Sequence, residues 1–272
     1  GGHQRRRRAA APCVSRRTAL TPMRAFWLAL QFLTRLPVPR MTEYTAEDCG
    51  RSVLYYPVVG LLIGAVLTGV LFLLADANPG LRAALLLLVW VLFTGALHLD
   101  GLADSADAWL GGRGDRARTL EIMKDSRSGP AAIVALALVL IVKFAALSAF
   151  THAVYWPVLV LAPLLGRAAL VLLFLTTPYV RAEGIGTAHA ANLPRGSAAI
   201  VLLTVAILVP VFLGYAGLWP LATALVTVLL LRRLMLQRLG GATGDTLGAS
   251  CEIVEAAVLM VMVLAGAPLV MG

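Results

Sequence analysis

The chain has 272 residues, 60% of them hydrophobic and only 14% charged, with a mean hydropathy of +0.86. Ordinary soluble domains carry about 25% charged residues, so this sequence lacks the polar surface that a water-soluble core of this length requires. Its apolar residues fall in long runs between short charged islands, the pattern of a polytopic helical membrane protein. No strand alternation marks a barrel.

The net charge of +9 would suit a nucleic-acid binder, but its location argues otherwise. Arg5, Arg6, Arg7, Arg8, Arg16, Arg17 and Arg24 lie in the first 24 residues without an acid, and removing those seven leaves 16 bases against 14 acids. A basic tail ahead of membrane segments meets anionic lipid more readily than it reads nucleic acid. Membrane lipid is therefore an expected partner and nucleic acid is not. Cys13, Cys49 and Cys251 are isolated, so neither a disulfide framework nor a zinc site is supported. The four histidines are too scattered for a metal motif.

Residues 1–22, rich in Arg, Ala and Pro without an apolar stretch, read as a disordered basic leader or an upstream extension, and residues 23–272 as an integral membrane domain. Residues 23–36 form an amphipathic segment too short to span, expected on the membrane surface and stopped by Pro37 and Pro39. Residues 53–75 are free of charge over 23 positions, enough to cross a bilayer that needs about 20. Further spans are expected over 83–99, 130–151, 156–178 and 247–270. Residues 197–231 hold no charge over 35 positions, too long for one crossing, and are read as two spans turning near Gly214-Tyr215-Ala216-Gly217.

Seven spans with the N-terminus inside would place segments 1–52, 100–129, 181–196 and 232–245 in the cytoplasm. These contain 10, 5, 2 and 3 basic residues, 20 of the 23 in the chain. That asymmetry is the one the positive-inside rule requires, and it puts every polar island on the cytoplasmic side.

The first island opens with His98-Leu99-Asp100-Gly101-Leu102-Ala103-Asp104, followed by Asp107. Carboxylates at i, i+4 and i+7 share one face of a helix. Like charges so placed repel unless a cation joins them, and hard oxygen ligands suit Mg²⁺ or Mn²⁺, which also hold phosphate oxygens. The alternative is a solvated polar face, disfavoured by the apolar Leu99, Leu102, Ala106 and Trp109 around the row. Glu121, Lys124, Asp125 and Arg127 follow; Lys124 and Arg127 offer donors for phosphate, though the segment also reads as an amphipathic surface helix with ion pairs.

Arg167 lies inside the fourth span, where an unpaired Arg costs at least ~3 kcal/mol, so a carboxylate or phosphate partner from another helix is expected. Lys143 is also mid-span and could snorkel. The third island, Gly240-Gly241-Ala242-Thr243-Gly244-Asp245, can offer backbone N–H groups to an anion, or can be a turn with Thr243 or Asp245 as helix cap. Glu252 and Glu255 then enter an apolar span.

Together these segments resemble one family, cobalamin synthase, also called adenosylcobinamide-GDP ribazoletransferase. The resemblance runs from Met23 to the C-terminus and rests on Phe32-Leu33-Thr34-Arg35-Leu36-Pro37-Val38-Pro39, on His98 to Asp104 with Asp107, and on Leu120-Glu121-Ile122-Met123-Lys124-Asp125-Ser126-Arg127. Gly166-Arg167, Arg181-Ala182-Glu183-Gly184 and Gly241 to Gly248 complete it. It implies the last assembly step of vitamin B12 in the bacterial cytoplasmic membrane. α-Ribazole or its 5′-phosphate attacks the phosphate on adenosylcobinamide, GMP leaves, and Mg²⁺ (or Mn²⁺) assists. On this reading Asp100, Asp104 and Asp107 hold the metal, and Asp104, Asp107 and Asp125 are catalytic. His98, Lys124, Ser126, Arg127, Arg167, Thr243 and Asp245 bind substrate. A weaker likeness to CDP-alcohol phosphotransferases agrees at Asp100-Gly101 but fails at Asp104-Ser105, where that family has Ala-Arg. A secondary transporter would keep its polar groups near the midplane in broken helices, unlike these carboxylates at helix ends.

Overall fold

The computed structural model describes residues 22–39, 41, 43–125, 127–150 and 155–265. Among them it is an all-α bundle, with one isolated parallel bridge between Tyr179 and Ala242. The helices are α1 (Pro22–Leu33), α2 (Ala46–Ser52), α3 (Tyr56–Leu73), α4 (Pro79–Thr94), α5 (Leu97–Gly111), α6 (Arg116–Ile122), α7 (Pro130–Ala149), α8 (Trp156–Thr176), α9 (Ile185–Ala191), α10 (Arg195–Leu213), α11 (Leu218–Leu239) and α12 (Gly244–Leu264). Proline sets several of their starts. Pro57, Pro79, Pro130 and Pro157 occupy first-turn positions, where a missing N–H costs nothing and the fixed φ is already helical. Of the basic leader expected over 1–22, only Pro22 is described, as the first residue of α1; the rest lies outside the described residues.

Among the described residues, five helical runs are long and apolar enough to cross a membrane: Ala46–Leu73, Pro130–Ala149, Trp156–Thr176, Arg195–Leu239 and Gly244–Leu264. These make a multi-pass membrane protein. A sixth is reached if α4 and α5, bent by 89° at their junction, count as one. The sequence reading divides 197–231 into two crossings; Arg195–Leu239 is one apolar run of 45 residues by length and composition, but it is interrupted between α10 and α11. The break falls where expected, at Gly214–Gly217: Gly214 takes a φ of 56° that ends α10, and Gly217 lies back against Val209, where a Cβ would meet its carbonyl oxygen at 2.8 Å. The span read over 83–99 is also cut short. Gly95 and Ala96 both take left-handed φ values, 64° and 57°, ending α4 and turning the chain into α5. Glycine takes this φ at Gly95 without steric cost and leaves room for the Arg35 side chain, whose Nε would lie 1.9 Å from an added Cβ.

The bundle is organised around α8, whose residues are buried nearly throughout. It packs against α3 on one side and α12 on another. By contrast α10 exposes Ile200, Leu203, Ile207 and Val211, as a lipid-facing helix does. Without a hydrophobic drive between helices in lipid, close approach depends on small residues. At Gly60 of α3 an added Cβ would sit 2.5 Å from the Pro163 carbonyl oxygen and 2.8 Å from Leu164 Cα. Both are backbone atoms that cannot swing aside. Gly60→Ala should therefore lower stability by about 1–3 kcal/mol, read as a lower midpoint for thermal unfolding in detergent.

Candidate active site

The acidic row lies on α5, which leaves the axis of α4 and is not one of the five spans. Asp100 is exposed, and Asp104 and Asp107 are half-buried. Gly101 lets the start of α12 press against this helix, because a Cβ there would lie 2.7 Å from the Asp245 carbonyl oxygen. The contact brings Asp245 beside the row. Burial, and then the charges of Asp100 and Asp245, push Asp104 up to about 6 against the opposing Arg181. Arg181 donates to the Asp245 carboxylate and, at 3.4 Å, to the Met123 carbonyl. Sequence reasoning singled out Arg181 only as part of a motif; its being the first base after α8 was the available signal.

Other expected site residues have different tasks. Asp107 accepts from Gly129 N (2.5 Å) and Ala132 N (3.0 Å), so both its oxygens cap α7 from across space. Expected as metal ligand and proton acceptor, it has this structural task as well, since the first turn of α7 has no side-chain cap of its own. Thr243, expected on substrate, is fully buried and forms a capping box with Thr246. Asp125 pairs with Arg127 at 2.9 Å on the exposed surface, and that bond holds its carboxyl below the usual range, which weakens it as a proton acceptor. Glu121 pairs with Arg118, as the surface-helix alternative had it. Lys124 is exposed, and Ser126 lies outside the described residues. The turn is nonetheless held beside the row, because buried Met123 contacts Thr243 Oγ1 at 3.5 Å and Arg181 at its carbonyl. Among the described residues no three His, Cys, Asp or Glu side chains are gathered in a metal-binding arrangement.

Behind the row is a dry ionic network. Lys143 of α7 donates to Glu252 and Glu255 of α12, each at 2.5 Å, and lies 4.6 Å over the Trp90 ring. Arg167 of α8 pairs with Glu255 and reaches His98 Nδ1 at 3.5 Å. Since guanidinium can only donate, Nδ1 is the accepting nitrogen. The partner of Arg167 is thus a carboxylate, one of the two kinds expected. Arg167 is fully buried, one residue behind the wall that His98 presents. Lys143 does not snorkel. Glu255→Gln would leave two buried cations with one carboxylate, and should cost about 3–5 kcal/mol, seen as loss of folded protein from detergent extracts.

Asp100, the first acid of the row, opens on a cleft of about 190 Å³ lined by His98, Asp100, Gly244 and Asp245 on one side and by Phe32, Tyr56, Phe174 and His189 on the other. The family model described as cobalamin-5-phosphate synthase matches residues 25–263. The chain belongs to the cobalamin-5-phosphate synthase family. It is similar to the adenosylcobinamide-GDP ribazoletransferase of Stutzerimonas stutzeri (strain A1501), 59% identical over 237 residues that cover 87% of this chain and 96% of that protein. The protein of the same name from Pseudomonas putida (strain W619) is 55% identical over 243 residues, covering 89% of this chain and 100% of that one. No solved structure matches the chain. Within this cobalamin-5-phosphate synthase fold, the conspicuous charges divide between the cleft and the ionic core behind it.

Proposed function

We propose that this chain is an adenosylcobinamide-GDP ribazoletransferase. A ribose hydroxyl of α-ribazole, or of its 5′-phosphate, attacks the cobinamide-linked phosphate of adenosylcobinamide-GDP. The bond to the GMP phosphate breaks, giving adenosylcobalamin or its 5′-phosphate and free GMP. The observation that carries this reading is the gathering of Asp100, Asp104 and Asp245 from two helices, with Asp100 and Asp245 lining one cleft, in a member of this family.

Crowded carboxylates opposed by one guanidinium fit a hard divalent cation. Asp100 and Asp104 are the residues that would hold Mg²⁺, which supplies charge neutralisation on the diphosphate when bound. The chain's own part is mainly positioning, as phosphoryl transfer requires. Arg181 keeps Asp245 turned toward the row, Asp107 fixes the start of α7, and the exposed Lys124 and Arg127 are the cations offered to phosphate oxygens. Membranes containing the chain, given adenosylcobinamide-GDP, α-ribazole and Mg²⁺, should release GMP and cobalamin in equal amounts. Chelation should stop both. Asp104→Asn should lower turnover by at least about 100-fold while the protein remains inserted and folded; undiminished turnover would remove the assignment.

The same reading sets the topology. With the N-terminus, and with it the acidic row, on the cytoplasmic side of the bacterial inner membrane, α10 and α11 cross separately and the total is seven. α1 then lies along the surface. A cysteine placed at Ala77 should react with an impermeant maleimide from outside intact cells. One at Gly114 should react only after the cells are opened.

A further inference from the structure

The wall of the cleft opposite the acids has chemistry of its own. Phe32 of α1, Tyr56 of α3, Phe174 of α8 and His189 of α9 come from four elements far apart in the sequence. His189 stands at their centre, 5.5 Å from Phe32, 6.1 Å from Tyr56 and 6.0 Å from Phe174 between ring centroids. Three of these rings are buried, whereas Phe32 keeps 37% of its surface open. His189 Nε2 meets the Tyr56 hydroxyl at 3.5 Å, yet its Nδ1 is buried without a partner. Burial pushes His189 down to about 4, so the ring is neutral at physiological pH. With the Tyr56 hydroxyl donating to Nε2, the arrangement on which the assignment below rests, a neutral ring carries its one proton on Nδ1. The wall therefore offers one open aromatic face and a single unused donor, and Leu170 and Leu247 supply the rest.

We propose that this wall seats the benzimidazole base of α-ribazole, which stacks on Phe32 and accepts a hydrogen bond from His189 Nδ1 at its imine nitrogen. The assignment rests on the ribazole-transfer reading above. Benzimidazole is a flat apolar bicycle with one acceptor nitrogen, which matches the single donor. Guanine, the base of the other substrate, has several donors and acceptors on its edge that Leu170, Leu247 and the phenyl rings would leave unpaired, a costly mismatch. At about 190 Å³ the cleft is below the ~300–1,000 Å³ of pockets for drug-sized ligands, which suits one base and excludes the corrinoid. A base held here leaves its ribose at the side lined by Asp100 and Asp245.

The test is steady-state kinetics on membranes carrying the full chain, varying each substrate with the other saturating. Phe32→Ala should raise KM for α-ribazole about tenfold and leave KM for adenosylcobinamide-GDP within about twofold, and Phe32→Trp should restore it. The unmutated chain should prefer α-ribazole about tenfold over the indole riboside, which has carbon in place of the imine nitrogen. His189→Phe, which keeps the ring but lacks Nδ1, should erase that preference. A shift in KM for adenosylcobinamide-GDP instead, no shift in either KM, or discrimination surviving in His189→Phe would overturn the proposal. Failure of the unmutated chain to release GMP from the two substrates would sink the ribazole-transfer reading itself, a result distinct from any of these.

Discussion

Lys143, Arg167, Glu252 and Glu255 form a neutral set of charges sealed from water in the middle of the bundle. In such surroundings a lone charge costs far more than in water, so each member requires the others in place. The set ties α7, α8 and α12 together, and through His98 it also touches α5. Rotation of α12 about its axis is thereby fixed. Asp245 lies two turns before Glu252 on that helix, so the orientation that satisfies Lys143 also presents Asp245 at the acidic row.

Two kinds of close contact complete the site around this core. Backbones meet where glycine permits it, as at Gly101 against the first turn of α12. Polar side chains then cap what the helices leave open, as Asp107 does for α7 and Thr243 for α12. Of the charges left over, Asp100 and Asp245 line the cleft, with Asp104 and Arg181 beside them. Structural and chemical groups are thus interleaved within a few residues of one another, and the same carboxylate type serves both.

Much of this was legible beforehand. Long uncharged runs announce helices in lipid, proline marks where several begin, and acids at i, i+4 and i+7 on α5 share a face whatever surrounds them. The family was legible from its motifs. That Asp107 caps a helix was not, because Gly129 is 22 residues away and only the fold makes them neighbours. Nor was the cleft's aromatic wall, whose rings stand at positions 32, 56, 174 and 189 with no common spacing. His189 looked like a scattered histidine for that reason.

The amino-acid sequence by itself determined what depends on near neighbours along the chain: membrane residence, helix starts, the acidic face of α5 and the family. Tertiary structure decided which charges became partners, how far the chain turns at Gly95 and Ala96, and what faces the acids across the cleft. The reason is physical. Helical periodicity repeats every few residues and can be read from any short stretch. Pairing across a bundle depends on the depth and rotation of several helices at once, and those are fixed only when all of them pack.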